Sequence, residues 1–399
     1  MEKLTSVLPL HGVIRPYAWG SRSAIAQLQG RPAPSEGPEA ELWLGAHPGD
    51  PSTVDGPQGP MSLLDLITAD PRGQLGAEVT DEFGVRLPYL LKVLAADAPL
   101  SLQAHPDAEQ ARAAYAAQQA DPGAPRNYTD AFHKPEMLVA LTPFEALCGF
   151  RSPDVSAAVL QGLGVPRLAP VVAQLRTGVT GLREAVRTLL TWPQEDRPAL
   201  IEVVVQAASG QPGDHPYAAD LALATELAAH YPGDPGVLVA LLLNHVRLAP
   251  GEAIWMPAGN LHAYLHGTGV EIMAASDNVL RGGLTPKRVD VDELLRVLRF
   301  EVLDDVVLSC VEVAPGVVTW QVPAREFALH RVVAGGDAPV ELPVSGPRVV
   351  LGVRGEVLLG DPDGGTVPVP AGSAAFAAAA AGPVTATGTG EVFVASVAR

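Results

Sequence analysis

The sequence is poor in cysteine, in positive charge and in long apolar runs, and each shortage excludes a class of protein. Its 399 residues include two cysteines, Cys148 and Cys310, which are too few and too far apart for a disulfide framework or a thiolate metal site. Any bound metal must therefore use histidine and oxygen ligands. No stretch approaches the roughly 18 consecutive apolar residues of a membrane span, and the N-terminus MEKLTSVLPLHG lacks the apolar core of a signal peptide. We therefore expect a cytoplasmic protein without a membrane partner.

Lysine and arginine together number 27 against 44 aspartates and glutamates, so the formal net charge is -17. Such a surface repels polyanions, which argues against nucleic acid as a partner and leaves small anions to a locally basic pocket. Because 47% of the residues are hydrophobic, the chain can bury a large core in two or three domains. We expect a monomer that acts on a small molecule.

The pattern of apolar residues along the chain predicts a mainly β protein with an α-helical insertion. Residues 1–150 hold short β-prone runs, such as LPYLLKVL (87–94) and EMLVAL (136–141), typical of an antiparallel sheet. Residues 151–245 show helical periodicity: four apolar side chains share one face, and YAADLALATELAAHY (217–231) and PGVLVALLLNHV (235–246) predict further helices. The four are Leu182, Val186, Leu189 and Leu190.

Strand patterns return at residues 246–259 and again after residue 300. Between them, VDVDELLRVLRF (289–300) predicts an amphipathic helix with Asp290 or Asp292 as its N-cap. We therefore predict three domains: a catalytic domain made of 1–150 with 246–300, a helical domain at 151–245, and a C-terminal β domain at 301–399, of sandwich or barrel form.

Two short polar motifs within this β framework are candidate metal ligands. If SLQAH is a strand, Gln103 and His105 point to the same face, because side chains alternate along a strand. The run FHKPEM (132–137) places Lys134 and Glu136 at the start of an apolar strand, where a carboxylate is costly to bury unless something positive meets it. Each motif alone is also compatible with ordinary polar or solvated residues.

A third stretch, residues 251–291, supplies a further candidate ligand. Gly251, Pro257, Gly259 and His262 follow the spacing of the second cupin motif, in which a turn delivers a histidine into a jelly-roll barrel. With Gln103, His105 and Glu136, His262 completes a set of four nitrogen and oxygen ligands.

Taken together, these blocks resemble the type I phosphomannose isomerase family. The matching segments are PYAWGS (16–21), AELWLGAHP (40–48), LPYLLKVL followed by APLSLQAHPD, FHKPEM, HAY (262–264) and VEIMAASDNVLRGGLTPK (270–287). The resemblance implies cupin-type jelly-roll β-barrels, one catalytic and one C-terminal, and interconversion of mannose 6-phosphate and fructose 6-phosphate through a cis-enediol. It implies one Zn²⁺ per chain, on Gln103, His105, Glu136 and His262. Phe132 departs from the small polar residue expected before His133.

The resemblance also implies roles for the other polar residues. Arg281 and Lys287 either neutralise the phosphate, or Arg281 stabilises the enediolate while Lys287 binds substrate. Lys134 is one candidate proton carrier, and Glu271 and Asp277 are the carboxylate alternatives, Glu271 being equally suited to orienting a ligand or a lysine. The further substrate contacts are Ser101, Trp19 and Tyr264.

Two other interpretations fit a cupin motif. One is a cupin enzyme with another metal, although an Fe(II) oxygenase ordinarily uses two histidines and a carboxylate rather than a glutamine. The other is a non-catalytic sugar-binding cupin, which would not need both FHKPEM and DNVLRGGLTPK. The ligand types by themselves suit manganese or cobalt as well as zinc.

Overall fold

The fold consists of antiparallel β-sheet with helices attached to it. The computed structural model describes residues 7–56, 59–121, 123 and 125–398. Within these residues the named strands form two sheets, of 11 and 10 strands, and their pairings are antiparallel. The prediction of a mainly β chain that also carries helices is confirmed.

Residues 7–150 contain the first nine strands and five helices. The strands are β1 (Val7–His11), β2 (Val13–Arg15), β3 (Glu41–Leu44), β4 (Thr53–Gly56), β5 (Gly59–Ser62), β6 (Tyr89–Ala96), β7 (Leu102–Ala104), β8 (Glu136–Ala140) and β9 (Phe144–Phe150). The helices are α1 (Ala24–Leu28), α2 (Leu63–Ala69), α3 (Pro71–Leu75), α4 (Ala77–Phe83) and α5 (Ala108–Ala120). The runs LPYLLKVL and EMLVAL contain β6 and β8, and every residue of these two strands is buried.

The predicted helical block is present, with one error at its end. Its helices are α6 (Pro153–Gly162), α7 (Ala169–Leu175), α8 (Val179–Leu190), α9 (Arg197–Ser209), α10 (Ala218–His230) and α11 (Gly236–Ala240). The four apolar residues predicted to share a face lie on α8 and are buried. The prediction of one helix over 235–246 is wrong, because the chain leaves α11 and enters strand β10 (Leu243–Leu248), which pairs with β9. A short apolar run has no period that separates strand from helix, so tertiary pairing decided it.

The following segment returns to the first sheet. It contains β11 (Ala253–Met256), β12 (His262–Ala274), β13 (Leu280–Gly283) and helix α12 (Val291–Val297). The predicted N-cap is confirmed at Asp290, whose side chain accepts a hydrogen bond from the Glu293 amide.

The C-terminal region supplies the remaining strands, which lie mainly in the second sheet. They are β14 (Val307–Leu308), β15 (Val311–Ala314), β16 (Val317–Thr319), β17 (Ala328–Glu341), β18 (Arg348–Gly360), β19 (Thr366–Pro370), β20 (Ala374–Ala377) and β21 (Thr385–Ser396). This sheet also takes in β1, β4 and β5 from the start of the chain, and β1 pairs directly with β20. The division into three domains stays a prediction.

A shared apolar core joins the two sheets. Leu91 and Ile272 of the first sheet lie in one cluster with Leu351 and Phe376 of the second. The Tyr89 hydroxyl crosses the same junction, 3.0 Å from the Ala395 carbonyl and 3.1 Å from the Pro347 carbonyl. Burial of each such large apolar side chain contributes about 1.5–3 kcal/mol, so the second sheet supports the first.

Candidate metal centre

Strand alternation directs the predicted ligands to the interior of the first sheet. Leu102 and Ala104, which flank Gln103, lie in the apolar core formed with the helical block, and so does Ala263, which follows His262. Because side chains on a strand alternate, Gln103 and His262 face the opposite way. The helices therefore cover the outer face of the strands that carry the ligands.

Three of the predicted metal ligands meet at one point. His105 Nε2 lies 3.3 Å and His262 Nε2 lies 3.2 Å from the same oxygen, Glu136 Oε2. A ligand atom from each of the three lies within 4.8 Å of the other two, and all three residues are buried. His105 directly follows β7, Glu136 begins β8 and His262 begins β12, so the cluster depends on the register of three strands.

The donor set fits a cation. His105 Nδ1 lies 2.6 Å from the Asn278 carbonyl and His262 Nδ1 lies 3.1 Å from the Asn260 carbonyl. A carbonyl only accepts, so each Nδ1 carries the hydrogen, and Nε2 is the nitrogen that each ring can offer to a metal. Burial lowers the pKa of His105 to about 4, and its Nε2 is buried without a hydrogen-bond partner among the described residues.

The carboxylate of Glu136 is the anionic member of the cluster. Burial opposes its ionisation, but the Lys134 ammonium, whose Nζ lies 2.9 Å from Glu136 Oε1, is the main opposing cause, and the pKa of Glu136 lies well below its usual range. An ionised carboxylate thus faces an imidazole lone pair in a buried site. These groups repel one another unless a cation lies between them.

Gln103 is placed beside the three clustered ligands. It lies directly opposite His262 in the β7–β12 pairing and opposite Arg281 in the β7–β13 pairing. It also lines a small inner cavity together with Glu136 and His262. The Gln103 amide lies 3.3 Å from the Ser101 hydroxyl, so these two polar side chains of SLQAH are neighbours.

A larger cavity of about 590 Å³ opens beside the cluster. Gln103 lines it, as do six other residues that the sequence predicted for the site: Trp19, Ser101, Lys134, Asp277, Arg281 and Lys287. No carboxylate of the described residues lies within ion-pair distance of Arg281 or Lys287, and burial alone lowers the pKa of Arg281. The cavity therefore presents two cations that an anionic ligand can pair with.

The other two predicted residues, Glu271 and Tyr264, line the inner cavity. The Tyr264 hydroxyl donates to Glu271 Oε1 at 2.6 Å, and Lys92 Nζ lies 3.1 Å from Glu271 Oε2. Both oxygens of Glu271 are thus engaged, which favours a bracing role over proton transfer. Burial raises the pKa of Glu271 and of Tyr264.

Sequence reasoning missed several residues of the site, Lys92 above all. Lys92 is buried and lines both cavities; burial disfavours its charge, but Glu271 and Glu41 outweigh this and raise its pKa. Trp43 also lines the larger cavity and donates to Glu41 Oε2 at 2.6 Å. A lysine within the apolar run LPYLLKVL was the available signal, because a buried lysine requires a partner.

His47 and Phe132 are also located by the structure. His47 is buried and lines the larger cavity, with its Nε2 3.4 Å from Asp277 Oδ1. Phe132 is exposed and packs on the Arg86 guanidinium at 3.7 Å from the ring centroid. Phe132 is not among the residues that line the larger cavity within the described chain, so the departure from the expected small residue leaves that wall unchanged.

Comparisons with known proteins identify the family of this chain. The family model for the phosphomannose isomerase type I catalytic domain matches residues 7–153. The mannose-6-phosphate isomerase of Escherichia coli (strain K12) is 36% identical over 389 residues, which cover 95% of this chain and 96% of that protein. The mannose-6-phosphate isomerase of Homo sapiens is 36% identical over 321 residues, covering 74% of this chain and 73% of that protein.

Solved structures agree along nearly the whole chain. A mutant of phosphomannose isomerase from Salmonella typhimurium superposes with a TM-score of 0.91 at 32% identity, covering 99% of this chain and 100% of its own. A zinc-bound mannose 6-phosphate isomerase superposes with a TM-score of 0.90 at 33% identity, with the same coverage. No helix in the described part of this chain combines the length and apolarity needed to span a membrane. Because the sequence identity extends over nearly the whole chain and the structures superpose over nearly all of it, the chain belongs to the type I phosphomannose isomerase family.

Proposed function

We propose that this protein interconverts mannose 6-phosphate and fructose 6-phosphate with one zinc ion held by Gln103, His105, Glu136 and His262. The observation that carries the proposal is the buried cluster in which two imidazole nitrogens and an ionised carboxylate converge beside a cavity with two unpaired cations. The names of the relatives, and the zinc in a structural neighbour, support the same reaction and the same metal.

Zinc, when bound, supplies Lewis acidity for the oxygens at C1 and C2 of the open-chain sugar. Two imidazoles and an amide are neutral ligands, so Glu136 contributes the single formal negative charge and leaves the centre with a net charge near +1. Lys134, at 2.9 Å from the other Glu136 oxygen, keeps that carboxylate ionised and oriented.

Arg281 and Lys287 are assigned to the phosphate. Both line the larger cavity, and neither has a carboxylate partner among the described side chains. Arginine offers a planar fork to phosphate oxygens and lysine a compact charge, so together they fix one end of the sugar. The other end then lies toward the metal ligands, where the proton moves between C2 and C1. Ser101 and Trp19, which line the same cavity, are assigned to the sugar between these two ends.

Of the three candidate proton carriers taken from the sequence, two line this cavity: Lys134, which would take the proton as its neutral amine, and the Asp277 carboxylate. Glu271 is assigned to bracing Lys92 and Tyr264, because both of its oxygens are already engaged. Incubation with substrate in deuterated water separates the two carriers. The variant that lacks the proton carrier, Lys134→Ala or Asp277→Asn, loses deuterium incorporation at the transferred position, whereas the other retains it while turning over more slowly.

We further propose that the two sheets are jelly-roll barrels of the cupin kind and that the chain divides at about residues 150, 245 and 300. The antiparallel pairing and the cupin spacing that ends at His262 support this architecture. A monomer in the cytoplasm also remains a proposal. Analytical ultracentrifugation of the purified protein tests the monomer directly.

A coupled assay for fructose 6-phosphate formation tests the proposed reaction. The protein is measured as purified, after chelation, and after restoration with zinc, manganese or iron. We expect activity to disappear on chelation and to return with zinc. Activity restored by iron alone would indicate another metal-dependent cupin enzyme, and binding of sugar phosphate without turnover would indicate a non-catalytic cupin.

A further inference from the structure

Two loops that border the metal centre exchange side-chain and backbone hydrogen bonds. Three residues make the exchange, Asp130 on the loop before β8, and Ser276 and Asn278 on the loop after β12; we refer to them as the loop latch. Asn278 and Ser276 are buried, with 0% and 1% of their surface exposed. The loops lie about 150 residues apart in sequence, so each contact between them is tertiary.

The Asn278 amide ties down the backbone of the first loop. Its Oδ1 accepts from the Thr129 amide at 2.8 Å and from the Asp130 amide at 3.3 Å. Its Nδ2 donates to the Asp130 and Phe132 carbonyls, both at 2.8 Å, and lies 3.1 Å from Asp130 Oδ1. Both ends of the amide are therefore satisfied by the loop that leads to Lys134 and Glu136.

The Asp130 side chain forms hydrogen bonds with the second loop. Its Oδ2 accepts from the Asp277 amide at 3.0 Å, and its two oxygens lie 2.9 and 3.1 Å from the Ser276 hydroxyl. The Ser276 oxygen also accepts from the Asn278 amide at 3.2 Å. Each loop thus fixes the main chain of the other, which holds the peptide at residue 278 from both sides.

The fixed peptide is the one that orients a metal ligand. The carbonyl of Asn278 receives the hydrogen of His105 Nδ1 at 2.6 Å, while Nε2 of the same ring faces Glu136. A hydrogen bond to the outer nitrogen of a metal-binding imidazole sets its tautomer and ring orientation. The latch residues are not ligands, and this carbonyl is where the latch meets a metal-binding side chain.

We propose that Asp130, Ser276 and Asn278 are positioning residues that set the affinity of the metal centre by holding the carbonyl that orients His105. The inference rests on the proposed function for the identity of the metal as zinc. It predicts that loss of the latch weakens zinc binding while every ligand is still present. Groups that hold metal ligands in this way typically change affinity 10- to 100-fold.

The test measures zinc affinity of the full-length protein by competition with a chromophoric chelator, without substrate. Asn278→Ala is expected to weaken zinc binding about 10- to 100-fold and to alter the visible absorption spectrum of the Co²⁺-substituted protein. Asn127→Ala is the matched control, because the Asn127 amide lies on the same loop but donates to Asp290 at 3.0 Å. Asn127→Ala should leave the zinc affinity within about twofold of the unmodified protein.

A double variant and a milder variant make the test robust. Because both side chains hold one peptide, Asp130→Ala with Asn278→Ala should weaken zinc binding little more than the worse single change. If Asn278→Ala fails to fold, Ser276→Ala, which removes one hydroxyl, should still weaken zinc binding measurably. Unchanged zinc affinity and Co²⁺ spectrum in folded latch variants would overturn the inference, as would full additivity. Wild-type protein that binds zinc without turning over mannose 6-phosphate would instead overturn the proposed function.

Discussion

The two sheets have the same antiparallel construction but differ in what they enclose. The interior cluster of the second sheet consists of valine, leucine and alanine, among them Val350, Leu359 and Val392. The first sheet encloses His105 and His262 together with buried glutamates and lysines. Similar backbone pairing therefore supports either a filled apolar core or a polar centre, and the inward side chains decide which.

The difference has an energetic consequence. In the second sheet the side chains of the interior cluster contribute to stability through apolar burial. In the first sheet the inward polar groups cost desolvation, which is offset by their mutual contacts and by a bound cation. We expect mutations in the first sheet to affect activity most, and mutations in the second to affect stability most.

The largest expected effect comes from a substitution within the polar centre itself. His262→Ala removes one of the converging nitrogens and with it the electrostatic stabilisation of the enediolate, so turnover should fall at least about 10²- to 10³-fold. The measurement is the coupled isomerase assay together with the zinc content after dialysis. A His262→Ala protein that kept full activity after chelation and dialysis would contradict the metal assignment.

The converse experiment is made in the second sheet. Leu359→Ala deletes a fully buried side chain from the apolar cluster and should lower the free energy of unfolding by about 2–5 kcal/mol. Its kcat/KM and zinc affinity should stay within about twofold of the unmodified values at a temperature where it is folded. Denaturant unfolding and the isomerase assay, run on the same preparation, check both halves. A selective loss of zinc binding would show that the two sheets are not functionally separate.

A smaller effect is expected when one of the cations beside the polar centre is removed. Arg281→Ala removes a charged partner for the phosphate, worth about 1.5–3 kcal/mol, so kcat/KM should fall about 10- to 100-fold while zinc content is retained. Arg288→Ala is the control, because Arg288 lines a neighbouring cavity and not the one next to the metal ligands. An equal loss in the two variants would indicate a general field effect rather than a phosphate contact.

The smallest expected effect is a pH dependence of the free energy of unfolding that comes from His330 in the second sheet. Burial lowers the pKa of His330, so the folded state binds fewer protons than the unfolded state below the unfolded pKa of about 6.5. The contribution of a neutral His330 is therefore intact above that pH and is lost as the pH falls toward the lowered folded pKa. One such group changes the free energy of unfolding by at most about 1.4 kcal/mol per pH unit. His330→Gln should lose less stability than the unmodified protein between pH 7 and 5.5, and parallel losses would refute the assignment.

Local sequence patterns were sufficient for several elements, whereas the set of four metal ligands was implied by the family resemblance. Gln103 and His105 are two residues apart, and Pro106 and the N-cap Asp107 end the segment and start α5. Asp290 and the apolar face of α8 were likewise predicted correctly. Each of these depends on neighbours within a few residues, so the chain specifies them before any long-range contact forms.

Other features depended on contacts between distant residues. Strand β10 was misread as helix because its apolar run fits either state until it pairs with β9. The position of β1 beside β20 could not be read from the order of the chain. Lys92 was missed because its partner, Glu271, lies 179 residues away and meets it only through the β6–β12 register.

The sequence by itself therefore offered side chains that can bind a metal and predicted that Gln103 and His105 share one strand face, because alternation along a strand is local. Only the tertiary structure decided that His105, Glu136 and His262 share one point, because three separate strand registers must agree for their ligand atoms to meet. The same holds for the loop latch, whose hydrogen bonds join segments that become neighbours only when the first sheet has formed.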